Sequence, residues 1–336
     1  MTTAMRRPAK FAAVLTAAAV LVAGCGSGAN KANAAAIIDG RTISVDDIQS
    51  RVEKVMKGNQ FAQQLQQQHK LDLLSRSILT REVNYELTAV AAQRENLRVD
   101  EAALAQRVVE RAQPQQQPDA TAIEANLDKA TDEAFDEREV ARNELLSEEL
   151  AKSYLGRLQI TITGAIVRGT QAKKQAQDLA KQLAENPAKS TEIVTPLQND
   201  AAVDFEMSLI TGVLVAQSAG FELATTPIVS AQANTVVAFS LAPHMLQNQG
   251  ENLWFVALIK NRNPNGTLPE REREAADSVP PELLNKIGRR LVSQYIGDIK
   301  FEIGPRYGVW DPIGNNVAPR AEEVSGYQYT ARVAKP

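Results

Sequence analysis

One cysteine and two histidines in 336 residues leave no disulfide framework and no ligand set for a structural zinc, so packing alone has to hold the fold. Charge of one sign is scarce in excess. The formal net charge is -3, with Lys and Arg interspersed among slightly more acids, and such a balance gathers no nucleic acid. The chain has no glycine-rich phosphate loop, no helical His-Glu-x-x-His and no Gly-x-Ser-x-Gly nucleophile turn. Paired acids such as Glu148 and Glu149 are neighbours on a helix and point to different sides, which excludes them as a hydrolase dyad. Long apolar runs are missing too. The run from Phe11 to Ala23 is short of the about 20 residues that a permanent spanning helix needs. What remains, 44% hydrophobic and 23% charged residues, is enough for one large or two modest folded units.

The same short run has a targeting pattern. Arg6, Arg7 and Lys10 precede it, and Leu21-Val22-Ala23-Gly24-Cys25 closes it in the manner of a lipobox, with small residues beside the bond to be cut. Residues 1–24 are read as a cleavable lipoprotein signal peptide. The Cys25 thiol is then the nucleophile available for a thioether to diacylglycerol, so lipidation is expected at Cys25; an ordinary signal peptide with an incidental cysteine is the competing reading. Residues 25–35 are small and polar and are read as a flexible tether. These features predict a lipid-anchored protein on the extracytoplasmic face of the cell membrane, where ATP is scarce.

The folded part is expected to be α+β. Ile37-Ile38-Asp39-Gly40-Arg41-Thr42-Ile43 places two β-prone runs around a tight-turn pair, and Ser44 with Asp47 makes a capping-box start for a helix bearing Ile48, Val52 and Val55. A longer helix is predicted over 68–95, with Leu71, Leu74, Ile78, Tyr85, Ala89 and Ala92 in one stripe, and Asp100 caps the next. Pro114-Gln115-Gln116-Gln117-Pro118 reads as loop. Between Asp119 and Glu149 eleven acids face Lys129, Arg138 and Arg142, while Phe135, Leu145, Leu146 and Leu150 mark an amphipathic helix running toward Leu158; the acidic pattern fits a solvated face or a surface for basic clients. Near Gln159 the character changes. Ile160 to Val167 fits a strand, Gln171–Glu185 a polar helix, and Ile228–Leu241 and Leu253–Ile259 further strands, with a loop from Pro243 to Gly250 between them. A last helix is expected from Pro280-Pro281 through Tyr295, followed by an extended run at Ile299–Ile303.

Three segments resemble the SurA-type extracytoplasmic chaperones and their parvulin-containing foldase relatives, in an actinobacterial lipoprotein form. Ile37 to Ser44 looks like the opening strands of the SurA N-terminal domain. Pro305-Arg306-Tyr307-Gly308-Val309-Trp310-Asp311 is similar to a C-terminal strand segment that returns to complete that domain. Ala238-Phe239-Ser240-Leu241 followed by Leu253–Lys260 is similar to the last helix and strand of a parvulin. The resemblance implies a mostly helical SurA-like body at 36–158, a parvulin-like α+β insert at 159–263, a C-terminal helix and strand at 264–313 packing on the body, and a disordered tail at 314–336. Parvulins carry a histidine in the first strand and another in the last, whereas Thr163-Gly164-Ala165-Ile166-Val167 and Trp254-Phe255-Val256-Ala257-Leu258 have none, and His69 and His244 fall elsewhere. The insert is therefore read as degenerate, with no catalytic residues, cofactor or metal. The expected function is that of a membrane-anchored, ATP-independent chaperone binding unfolded secreted or envelope clients through an exposed apolar trough. A scaffold lipoprotein with one specific partner and a weakly active prolyl isomerase are the rival readings.

Overall fold

The architecture is that of a computed structural model, which describes residues 33–113, 122–196, 207–210, 222–241, 252–267, 270 and 278–332. The signal peptide, Cys25, most of the tether, the Pro114–Pro118 loop and His244 lie outside the described residues.

The chain opens with an antiparallel hairpin, β1 (Ala34–Ile38) and β2 (Arg41–Ser44), closed by Asp39 and Gly40, both at positive φ. Positive φ at both turn residues matches the twist of the flanking strands, and the Asp-Gly pair admits it cheaply. Strand β1 takes up the last part of the expected tether: Ala35 is fully buried. Ser44 then caps α1 (Val45–Met56), its Oγ accepting from the Asp47 amide at 3.0 Å while the Asp47 carboxylate accepts from the Ser44 amide at 3.2 Å.

The helix predicted over 68–95 begins later. Helix α2 (Gln60–Gln67) ends in a turn with His69 at positive φ, and α3 (Leu71–Glu95) starts beyond it and stops at left-handed Asn96. His69 thus lies in a turn and not inside the helix. Helix α3 is the axis of the body, burying Leu74, Ile78, Leu79, Val83, Leu87 and Ala91 on more than one face. Around it stand α4 (Glu101–Arg111), capped by Asp100 as expected, α5 (Ile123–Asp132) and α6 (Glu137–Leu155). The helix expected toward Leu158 is α6; residues 133–136 divide it from α5, and Asp136 caps α6 by accepting from the Arg138 amide.

Strand β3 (Gln159–Arg168) leads into a five-stranded antiparallel sheet, followed by α7 (Ala172–Glu185), a short α8 (Ser190–Val194), β4 (Met207–Ile210), β5 (Thr235–Leu241) and β6 (Leu253–Asn263). Ala238–Leu241 is therefore strand, paired with β6, and not a helix; its buried run Thr235–Phe239 suits a strand covered on both sides. One face of the sheet, Ala165, Val236, Ala238, Val256 and Leu258, packs on Ala176, Leu179, Ala180 and Leu183 of α7. The other, Ile162, Ile166, Phe239, Phe255 and Ile259, joins a core continuous with the helical body, which also takes in Ala224, Ile228, Val229 and Ala231.

The C-terminal part returns to the body. Helix α9 (Pro281–Leu291) lies along α6, and β7 (Phe301–Ile303) extends the first hairpin by pairing with β1. Completion of the small sheet is the work of β7. Pro305–Asp311, the segment similar to a domain-completing strand, runs into β8 (Val309–Asp311), which pairs with β9 (Asn316–Ala318), and β9 lies against α3 of the body.

The expected disordered tail is corrected as well. Residues 326–330 form β10, which takes the outer place in the five-stranded sheet by pairing with β5 from Gly326 opposite Phe239 to Thr330 opposite Thr235. Tyr327 packs against Trp254 with ring centroids 5.9 Å apart, and Ala331 is buried. Alternating Tyr327 and Tyr329 are the aromatic positions of a strand whose flanking glycine and threonine hid it among polar neighbours.

Candidate functional site

Two adjoining clefts open on the helical body. The larger, about 820 Å³, lies between α3, α4, α5, α6 and α9; the smaller, about 500 Å³, lies between α3, α5, α9 and the β8–β9 hairpin. Arg81, Asn84, Asp128 and Arg289 line both, so the two form one groove crossing the seam between the N-terminal helices and the C-terminal return.

The groove is ionic. Arg81, its side chain only 7% exposed, donates to Asp128 at 2.7 Å and to Asp132 on α5. Burial works against its charge, but Asp132 and Asp128 hold its pKa above the usual guanidinium value. Arg107 donates to Glu148 at 2.7 Å and to Glu144 at 3.2 Å; those bonds, Glu148 first, also raise it. Arg111 donates to Glu137 at 2.9 Å, to Glu144 at 2.5 Å and to Asp132 at 3.3 Å. On the outer side Arg138 and Arg142 both meet Glu101. The run of acids is therefore largely neutralised by arginines of the same body. This favours the solvated, structural reading over a surface for basic clients.

Nor is the groove the apolar trough expected from the sequence. Among the described residues the exposed large hydrophobics are Val109, 65% exposed, and Ile123, 60% exposed. Both stand on helix segments flanking residues 114–121.

Two cations on α9 stand apart from this pairing. Arg289 lines both clefts and Lys286 the larger, and among the described residues neither side chain has an ion pair or hydrogen bond. Burial, and then the like charge of Arg81, lower the Arg289 pKa from the usual guanidinium value; Asp128, Tyr85 and Asp132 oppose the shift without cancelling it. The Tyr85 hydroxyl and the Asn315 Oδ1 nearby are buried without a hydrogen bond of normal geometry. Of these positions the sequence singled out only Tyr85, as part of an apolar stripe; an Arg three residues after a Lys on an amphipathic helix reads as solvated surface.

A second polar cluster sits at the junction with the sheet. Glu95 accepts from the Tyr154 and Tyr295 hydroxyls, each at 2.8 Å, and from Arg157 at 2.6 Å. Burial would raise the Glu95 pKa, but these three donors hold it below the usual carboxylate range. Arg262 of β6 reaches across to donate to Gln294 at 2.8 Å and to the Val229 carbonyl at 3.1 Å. The cluster locks body, C-terminal return and insert together; it is a joint, and it opens on neither cleft.

Of the sequence-predicted site residues, Cys25 lies outside the described residues, as does His244, and His69 is an exposed turn residue on the body. The strands that would carry parvulin histidines are β3 and β6, and Ile166, Phe239 and Phe255 on one face of their sheet are buried in the core that also holds Ile228 and Val229. Among the described residues no cluster of His, Cys, Asp and Glu has a metal-holding arrangement.

Residues 4–143 match the SurA-like N-terminal domain family. The matched stretch spans the hairpin, α1 to α5 and the first third of α6, and supplies part of the groove's wall; Glu144, Glu148, α9 and the β8–β9 hairpin lie beyond it. The match supports a SurA-like chaperone relationship for this part of the chain, and the helical body surrounding α3 is the fold of a SurA-like N-terminal domain within an α+β protein. No curated protein and no solved structure matches the chain.

Proposed function

We propose that the protein is a membrane-anchored, extracytoplasmic, ATP-independent chaperone for unfolded secreted or envelope proteins, held by a lipid on Cys25. The observation that carries this reading is the SurA-like match over residues 4–143, joined to a body that the C-terminal α9 and β7 complete around an open groove. Work of this kind needs no covalent step. Weak, rapidly exchanging contact with exposed client segments lowers the free concentration of aggregation-prone chain. The insert is read as a degenerate parvulin-like unit without isomerase activity. Supporting that, β3 and β6 carry no histidine, and Ile166, Phe239 and Phe255 on the sheet face opposite α7 are buried in the core. Rotation about an X-Pro bond crosses roughly 18–20 kcal/mol, and an enzyme lowers it only by gripping a twisted amide in a shaped cleft.

A lipid tether adds to weak affinity by holding the groove near the membrane from which clients emerge, since tethering raises the effective concentration. Cys25→Ala should abolish incorporation of labelled palmitate and move the protein out of the membrane fraction, leaving its melting temperature unchanged. Retention of label would remove the anchor from the account. The chaperone reading is tested by adding the purified protein, at near-stoichiometric ratio, to several unrelated unfolded proteins and following light scattering. Slower aggregation of most of them is expected, with no gain over buffer in a protease-coupled proline-peptide assay. If none responds while one envelope protein co-purifies, the protein is a scaffold.

A further inference from the structure

The groove is not charge-neutral along its length. On the wall made by α4, α5 and α6 the carboxylates of Asp132, Glu144 and Glu148 are taken up by Arg81, Arg107 and Arg111. On the opposite wall, α9 presents Lys286 and Arg289, three residues apart and hence on one helical face, with no ion pair or hydrogen bond for either side chain among the described residues. Glu282, in the first turn of the same helix, also lines the larger cleft and leaves a net positive wall.

Arg289 is the decisive member. It sits deep between the two clefts, beside Arg81, whose own charge is already satisfied by Asp128 and Asp132. A guanidinium in that position has lost part of its hydration, which is costly, and Asp128 and Asp132 act on it only at a distance because Arg81 takes their ion pairs. Arg290, its neighbour, donates instead to the Pro312 carbonyl at 3.2 Å and to that of Ile313. The flat fork of Arg289 fits a carboxylate through two parallel N–H···O bonds, and the unsatisfied Tyr85 hydroxyl offers a further donor nearby.

We propose that Arg289, supported by Lys286, binds a carboxylate on an extended segment of the unfolded client, either an Asp or Glu side chain or a C-terminal carboxylate. The proposal takes its ligand from the chaperone reading and supplies that reading with a chemical preference. A groove of linked clefts with one unpaired cation at its waist would register an otherwise nonspecific chain by a single charge-assisted contact, while the paired wall stays inert.

The test is fluorescence anisotropy of the full chain with a set of labelled unstructured peptides. Each is made in four forms: with an internal Glu or with Gln, and with a free or an amidated C-terminus. Inorganic phosphate is added as a separate competitor. The expected result is about tenfold weaker binding when the recognised carboxylate is removed, and a similar loss for Arg289→Gln with the best peptide. Whichever pair of peptides shows the difference identifies the source of the carboxylate. Arg289→Lys keeps the charge but loses the fork, and should fall between the two; it also serves if the Gln variant fails to fold. Equal binding of all four peptide forms, or unchanged binding by Arg289→Lys and Arg289→Gln, overturns the proposal. So does a site that takes phosphate while ignoring the peptides. Carboxylate-dependent binding that needs Arg289 without any suppression of aggregation would keep this site and remove the chaperone reading.

Discussion

Gly288→Ala should destabilise the protein by about 2 kcal/mol or more and lower its melting temperature by several degrees, an unusually large effect for one added methyl group. Gly288 lies in α9 where that helix crosses α6, and a Cβ placed there would stand 1.9 Å from the Ser147 carbonyl oxygen and 2.5 Å from its carbon. Those are backbone atoms of a buried stretch, and they cannot swing aside as a side chain would. Alanine is the better helix former by about 1 kcal/mol, so propensity alone predicts stabilisation. The close approach wins because separating the helices would disturb Leu284, Ile287 and Leu291, the residues through which the C-terminal return is seated. Gly58→Ala, where nothing lies within 4 Å of the added atom, is the control and should be close to neutral. Thermal unfolding of the two variants separates the cases; equal melting temperatures would mean that α9 does not sit this close to α6.

Glu82→Gln should stabilise the protein at pH 8 and do little near pH 4.5. Burial first, then the neighbouring carboxylates of Glu139, Glu86 and Asp47, push the Glu82 pKa up to about 7, and Arg51, 3.1 Å away, offsets only part of that. In the unfolded chain the group ionises near the ordinary value of 4.5. Between those two pH values the folded state keeps a proton that the unfolded state has released, so stability falls as pH rises through this window and levels off above about pH 7. Glutamine removes the slope. Because the side chain retains 18% exposure, the gain at pH 8 is on the order of 2 kcal/mol, below the full value of the shift. Arg51 keeps Glu139 at 3.3 Å and the Phe135 ring at 4.2 Å, so it is not stranded by the change. Denaturant titrations of both proteins from pH 4.5 to 8 check this: a stability difference that does not grow with pH would contradict it.

Local chemistry was legible in the sequence wherever one residue type dictates one backbone state. Asp39-Gly40 predicts the turn, Ser44 with Asp47 the capping box, and Asp100 the start of α4, because each depends on neighbours a few residues away. Boundaries failed where the deciding interaction is distant. His69 takes a left-handed conformation between two helices that share one apolar pattern, and that pattern gives no sign of the break. Strand β10 was missed because its partner, β5, lies some 90 residues earlier, as Gly326 opposite Phe239 shows, and a polar five-residue stretch carries little of its own signal. The groove was the least legible feature. Its expected apolar character came from a resemblance, whereas its ionic walls arise from Arg81, Arg107 and Arg111 meeting acids 21 to 51 residues away. Spacing along a single helix does not reveal such pairs, nor the lone Arg289 left over from them.

The central claim, that the groove of the SurA-like body receives unfolded chain, is tested most directly by hydrogen–deuterium exchange of the protein with and without an excess of a permanently unfolded client. The account predicts slowed exchange in α4, α6 and α9, the helices that wall the groove, with β3, β5 and β6 of the insert unchanged. A folded form of the same client should give no protection anywhere. Protection confined to the insert sheet, or none in the groove helices at client concentrations that suppress aggregation, would contradict it.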